Sequence, residues 1–285
     1  MDLFFEMYSG IAGDMVIGSL LDLGASREKL VNALSSMDFG DYELVFERVK
    51  KKGIDAYNFD VILNNNHGHK HSHVHNHEHE GHDHSHIHNH EHEDHEHSHC
   101  HNHEHSHVHR NLLDVTEIIN SGNLSDRVKK NALRIFDIIA DAEAKAHGVS
   151  KNEVHFHEVG AIDSIIDVVG ICVLIEDLNP EHIYFTEMFE GRGFVKCAHG
   201  SMPVPAPAVL NIITENNLTL NIIDDYGEHI TPTGAAVAAC FGEGMPPYAF
   251  NIKKVGIGAG NREFENSTNV LRVMEIENSK KKLLK

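Results

Sequence analysis

The sequence predicts a mixed α/β (or α+β) domain interrupted by a long disordered His-rich loop insertion. Three observations predict it. Segments with a two-residue apolar period are interleaved with segments of helical period along the whole chain. Of 285 residues, 41% are hydrophobic, an ordinary share for a packed core. From His67 to His109, histidine fills nearly every second position, with Glu, Asp, Asn, Ser and Gly between.

The elements follow in order. Residues 3–8 read as a short strand, and "SGIAGD" (9–14) as a Gly-rich turn. A helix from about Asp14 to Leu23 ends on Gly24, a residue suited to a left-handed C-cap. Ser26 can cap a second helix reaching about Met37. "YELVFERV" (42–49) alternates by twos, and "AYNFDVIL" (56–63) is its expected partner strand. After the His-rich tract, one helix runs from about Asn111 to Ser121 and another from the Ser125 cap to His147-Gly148. In the latter, Val128, Ala132, Ile135, Ile139, Ala142 and Ala146 recur at helical spacing and define one apolar face. Residues 161–178 are apolar nearly all round, which places that helix centrally. "HIYFT" (182–186) and "GFVKCA" (193–198) read as strands. "PVPAPAVLNII" (203–213) opens a helix with proline in its first turn, and "TPTGAAVAAC" (231–240) opens another. "FNIKKVGIG" (250–258) and "NVLRVMEI" (269–276) alternate as strands. Residues 1–66 and 110–277 together build one domain, 67–109 form the insertion, and 278–285 are a short basic tail.

Bulk properties narrow the function. A net charge of −19 leaves no basic face to neutralise phosphates, which excludes nucleic acid as the main partner. Protonating all 27 histidines would carry −19 to +8, so mild acid reverses the sign. No apolar run reaches the roughly 20 residues of a membrane span; the longest, 161–178, holds Asp163, Asp167, Glu176 and Asp177. "MDLFFEMYSG" lacks the basic start and apolar core of a signal peptide. Cys100, Cys172, Cys197 and Cys240 form no CxxC pair, which fits a reducing cytoplasm and no disulfide framework.

Two features point to metal. Imidazoles at alternating positions from His67, His69, His71, His73, His75, His77 and His79 onward place many nitrogen donors within reach of one ion. A segment with nothing to bury stays disordered, so it should hold several ions weakly and act as a reservoir. The bland reading is a passive low-complexity run. The second feature is "HFHEVGAID" (155–163). If 155–157 is extended, His155 and His157 face the same side. Glu158 follows at the turn, Asp163 falls in the first turn of the next helix, and Asp167 lies one turn on. Carboxylates stacked on an apolar helix are unfavourable unless something positive lies between them. A divalent metal held by His155, His157, Glu158 and Asp163 is one answer. The other is that Asp163 complements the helix dipole, Asp167 pairs with Lys or Arg, and the histidines are satisfied core groups. The pattern leaves both open.

Weaker signals remain. "SGIAGD" (Ser9, Gly10, Gly13, Asp14) can cap a helix or bind an anion there. "GEHITPTGAA" (227–236) offers Thr231 or Thr233 as a cap, with free N–H groups for phosphate. "GIGAGNRE" (256–263) reads as a glycine-rich bend followed by Arg262, a partner for carboxylate or phosphate. His199 and His229 are isolated and read as structural. A zinc hydrolase built on the HxHE run with Asp163 finds no support in an HExxH motif or a nucleophile elbow.

Taken in order, "YSGIAGDM", "HFHEVGAIDSIIDVVG", "CAHGSMPVPAPA", "ITPTGAA" and "GIGAGNRE…NVLRV" are specific. The chain resembles the nickel insertion proteins of lactate racemase maturation, the LarC family, from Met1 to about Glu275. The resemblance implies CTP-dependent cyclometallation of pyridinium-3,5-bisthiocarboxylic acid mononucleotide by Ni(II), with a divalent cation accompanying CTP. The product is a nickel-pincer cofactor, in which nickel bonds carbon and two sulfurs, made for a lactate racemase-type client. Soft sulfur donors and square-planar geometry suit Ni(II). Family members continue past the segment matching "NVLRV" into a C-terminal module, so the resemblance makes this chain the N-terminal part of a cytoplasmic enzyme, possible as a homo-oligomer. On this reading Asp14, Glu158, Asp163 and Asp167 are the catalytic group, and His155, His157, Glu158 and Asp163 surround the metal. Ser9, Gly10, Gly13, His199, Thr231, Thr233 and Arg262 hold nucleotide or mononucleotide. The competing class is a nickel store or metallochaperone with no chemistry of its own.

Overall fold

The computed structural model describes residues 1–63, 110–156, 160–197 and 200–279. The His-rich tract, His157, Glu158, His199 and most of the basic tail lie outside the described residues.

A six-stranded mixed sheet organises the molecule. Its order is β2 (Tyr42–Lys51), β3 (Ile54–Leu63), β11 (Phe250–Ala259), β12 (Val270–Asn278), β1 (Asp2–Glu6), β6 (His182–Phe185). β1 runs antiparallel to β12, with Phe4 opposite Met274, and parallel to β6, with Phe4 opposite Tyr184. Leu3 and Phe5 alternate with Phe4, so β1 sends side chains into the main core on one face and into a smaller cluster with Met274 and Ile276 on the other.

Helix α1 (Gly13–Leu23) lies on β11 and β3. Its close approach explains "VGIGAG". A Cβ on Gly256 would stand 2.1 Å from the Ser19 carbonyl oxygen, and one on Gly258 would stand 2.0 Å from that of Met15. These glycines therefore sit inside strand β11 and admit helix backbone, where the sequence suggested a bend.

The rest of the helical layer packs around α5 (Ile162–Leu178), whose residues Ile165, Ile166 and Val168–Ile175 are buried without a break, as expected for a central helix. It contacts α1, α2 (Arg27–Ser35) and α4 (Asp126–His147). Ser26 caps α2 through Lys29 N–H and Ser125 caps α4 through Val128 N–H. The α4 stripe is buried from Val128 to Ala142, each fully buried Ile in it contributing about 1.5–3 kcal/mol. It ends there, for Ala146 is exposed. Between β3 and α4 come β4 (Arg110–Asn111) and α3 (Leu112–Ser121), the latter started by an Asn111–Asp114 capping box. A single 3-10 turn (Lys151–Glu153) then leads into β5 (His155–Phe156).

The second half departs more from expectation. The strand expected at 193–198 is β8 (Phe194–Cys197), one arm of a hairpin with β9 (Gly200–Pro203). That hairpin takes the residues expected to begin a helix, so α6 (Pro207–Glu215) starts four residues later, at the last proline of the run. β7 (Met188–Arg192) and β10 (Leu220–Tyr226) pair in parallel as a separate ribbon that sequence patterning did not show. α7 (Pro232–Phe241) packs with α6 against α4. Among the described residues no helix is long and apolar enough to cross a membrane.

Candidate functional site

Three helix starts converge on a cavity of about 200 Å³. α1 contributes Gly13 and Asp14, α5 contributes Ser164 and Asp167, and α7 contributes Thr231, Pro232 and Thr233; Glu228 and Arg262 complete the wall. The α1 and α7 starts are tied by backbone: Ile11 N–H donates to the His229 carbonyl at 2.9 Å, and Thr231 N–H to the Ile11 carbonyl at 3.1 Å. Thr231 caps α7 by accepting from Gly234 N–H at 3.2 Å, the role its sequence context allowed.

Asp14, Asp167 and Glu228 are the carboxylates that line this cavity; Asp163 is not in its lining. Asp14 accepts from its neighbour Met15 N–H at 2.8 Å and from the Asn261 backbone. Burial raises its pKa from 3.8 to about 6; Asp60 adds to the rise and Arg262 opposes it. Asp167 is held well above the usual carboxylate range, first by burial and then by Asp14, Asp163 and Asp60. Asp163 is exposed by surface area, yet its carboxyl is also raised, desolvation coming first and Asp60 contributing. Asp14 and Asp163 both sit in first helical turns, where the backbone dipole favours negative charge. The Asp167 carboxylate is seated directly against Gly13, since a Cβ there would stand 2.3 Å from Oδ2.

Among the described residues no Lys or Arg neutralises Asp167. Among the described residues none of Asp14, Asp163 and Asp167 forms an ion pair. Arg262 is engaged elsewhere, with Glu228: its Nη1 lies 2.9 Å from the carbonyl oxygen and 2.8 Å from Oε2. Among the described residues no group of three or more His, Cys, Asp and Glu side chains is placed to hold a metal ion. Two of the four expected ligands, His157 and Glu158, are outside those residues.

His155 and Phe156 alternate as an extended pair should: His155 is exposed, while Phe156 is buried against Phe136. β5 pairs antiparallel with β4, Asn111 opposite His155 and Arg110 opposite Phe156. Arg110 directly follows the His-rich tract, and its guanidinium donates to the Gly160 carbonyl at 3.0 Å. On the other side of the tract, β3 carries Asp60, the acid that acts on Asp14, Asp163 and Asp167. Neither Asp60 nor the β4–β5 residues line the cavity itself.

Gly13, Asp14, Asp167, Thr231, Thr233 and Arg262 were singled out in the sequence, and the cavity brings them together. Ser9 and Gly10 are not in its lining. Ser9 Oγ lies 3.3 Å from Thr268 Oγ1, and Gly10 makes a left-handed turn (φ 87°) against the His229 backbone. Asp60 and Glu228 were missed. Asp60 carried a faint signal, an acid inside the apolar alternation of "AYNFDVIL". His229 is structural, as its isolation suggested. It is buried, stacks on Phe264 at 3.7 Å, and its ring nitrogens lie 3.0 Å from the Gly227 carbonyl and 3.1 Å from Ser267 Oγ. The buried Glu190 carboxyl accepts from His229 N–H at 2.6 Å and Ile230 N–H at 3.3 Å, fixing the loop before α7; burial lifts its pKa to about 7.

Fold and site together define a mixed α/β protein that gathers unpaired carboxylates and carries a histidine-rich segment in its sequence, a composition suited to handling a divalent transition metal. The chain belongs to the nickel insertion protein family, whose model matches residues 3–284. It is 43% identical over 281 residues to the pyridinium-3,5-bisthiocarboxylic acid mononucleotide nickel insertion protein of Alkaliphilus metalliredigens, covering 98% of this chain and 61% of that one. It is 47% identical over 274 residues to the protein of the same name from Clostridium acetobutylicum, covering 95% and 63%. The Clostridium kluyveri protein of that name is 42% identical over 274 residues, covering 95% and 61%. The chain therefore spans about three fifths of the length of these relatives. No solved structure matches it.

Proposed function

We propose that this chain inserts nickel into pyridinium-3,5-bisthiocarboxylic acid mononucleotide, the substrate in its relatives' name, in a reaction that uses CTP with a divalent cation. The observation that carries this reading is the placement of the tract flanks. Asp60, shortly before the tract, acts electrostatically on the carboxylates, and Arg110, just after it, bonds to Gly160 ahead of the helix that carries Asp163 and Asp167; both support a role for the tract in supplying nickel to them.

The chemistry assigns roles. His155, His157, Glu158 and Asp163 receive Ni(II) from the reservoir at 67–109. The ring carbon between the two thiocarboxylates loses its proton to Asp14, whose pKa of about 6 suits a proton acceptor near neutral pH, with the buried Asp167 carboxyl, also raised, beside it. The electron pair of that C–H bond forms the Ni–C bond, two sulfurs complete the pincer, and nickel stays Ni(II). Thr231, Thr233, His199 and Arg262 hold phosphate groups. The product serves a lactate racemase-type client in the cytoplasm, with a further C-terminal module contributing to the CTP-dependent step.

The test is reconstitution. The purified chain is mixed with precursor, Ni(II) and CTP, and the nickel-bearing product is read by mass spectrometry. The mixture is then repeated with the C-terminal portion of a longer relative added. Product in either mixture, lost in Asp163→Asn, is the expected result; no product in both refutes insertion. A nickel store is the second reading, favoured by the tract itself. It predicts nickel uptake with no product under any of these conditions.

A further inference from the structure

A larger cavity of about 330 Å³ adjoins the carboxylate one and shares Glu228, Pro232 and Arg262 with it. Its volume falls at the lower end of the roughly 300–1,000 Å³ common for small-molecule sites. The other walls come from the end of α4, the β8–β9 hairpin and the start of α6, none of which supplies a residue of the carboxylate cluster. Val195, Met202 and Pro207 give it apolar surface, and Lys196 stands at its edge without an ion pair among the described residues. Cys197 also lines it, half-buried.

The two cavities sort charge. The smaller one presents Asp14 and Asp167 unpaired, and it attracts a cation. The larger offers apolar walls for a flat ring; Glu143 pairs with His147 in its lining and Glu228 with Arg262, which leaves the Lys196 ammonium for an anionic group. We infer that the larger cavity binds the ribosyl-phosphate and ring of a pyridinium mononucleotide, which meets the metal across the shared wall at Arg262. The inference rests on the insertion reading above and locates its organic substrate.

The experiment uses the full chain and nicotinate mononucleotide, a stable pyridinium ribosyl phosphate with a single ring carboxylate and no sulfur. Binding is read by calorimetry. In parallel, alkylation of Cys197 by iodoacetamide is followed by peptide mass spectrometry, with buried Cys172 and Cys240 as internal controls. The expected result is saturable binding that slows Cys197 alkylation severalfold. Lys196→Glu and Met202→Trp should each weaken binding by about tenfold or more. Lys196 is exposed, so its variant keeps the fold even if the Met202 variant does not. Absence of saturable binding, an unchanged Cys197 rate at saturation, or normal binding by the Lys196 variant each overturns the inference. The probe has no sulfur donors, so its failure to bind leaves nickel insertion standing. Equally, Asp163→Asn can abolish insertion while probe binding persists.

Discussion

Replacing Asp14 by Asn tests the carboxylate cluster through stability, without any substrate. The folded chain holds the Asp14 proton with a pKa of about 6 against 3.8 for the free side chain. A difference of about two units corresponds to about 3 kcal/mol. Asp14 is only half-buried by surface area, and Asn can keep only part of the hydrogen bonding from Met15 and Asn261, so about 1–2 kcal/mol should be measurable. The sign follows from the raised value. Stability tied to the protonated carboxyl is fully present below about pH 4 and is lost as pH rises through about 6. Asn has no proton to lose. The variant should therefore gain on the wild type between about pH 4 and 6 and keep a constant advantage above. Urea unfolding of both chains across that range gives the difference directly, because titration of the His-rich tract is common to both. A difference that does not change with pH would refute the reasoning. So would a variant that loses ground as pH rises, which would mean that a cation stabilises the Asp14 carboxylate in the folded state.

Other substitutions separate the site from the reservoir. His157→Ala and Asp163→Asn should each abolish insertion while bulk nickel uptake, measured by equilibrium dialysis, stays nearly unchanged; normal product formation in both would remove the proposed ligand set. Deleting 67–109 should cut bound nickel sharply yet impair insertion only when nickel is scarce, since free metal replaces a reservoir by mass action; failure at saturating nickel would favour a chaperone. Nickel on the tract should fall away between about pH 7 and pH 5, because protonated imidazole cannot ligate, and occupancy that is level across that interval would exclude histidine ligation. Gly13→Ala puts a methyl group 2.3 Å from Asp167 Oδ2 and must displace that carboxylate, so insertion should drop by about tenfold or more with the far-UV spectrum intact; an unaffected rate would take Asp167 out of the mechanism.

What the sequence showed, and what it hid, follows from whether a signal is local. The α4 stripe and the all-round apolarity of α5 are periodic within one segment, and both helices stand where the period put them. The start of α6 was not legible, because Pro203, Pro205 and Pro207 can each open a helix; pairing of Pro203 with Phe194 across the hairpin removes the first, and the helix opens at the last. β7 and β10 escaped for the same reason: "MFEGR" is short and broken by glycine, and its partner lies about thirty residues away in a parallel pairing with a register shift. "GIGAG" shows the ambiguity most sharply. Close approach of a phosphate and close approach of a helix both exclude a Cβ, so the same glycines serve either purpose, and here α1 fills the space. The site divides along this line too. Asp14, Asp167, Thr231 and Arg262 stood out because each sits in a short motif with an obvious need for a partner. Asp60 belongs with them only because the sheet order lays β3 beside β11, under α1, with α5 packed on the same layer. An acid in an alternating strand looks like a solvated edge until the layer above it is known. Here that layer brings Asp14, Asp163 and Asp167, whose pKa values are raised first by burial and then by the neighbouring acids, Asp60 among them.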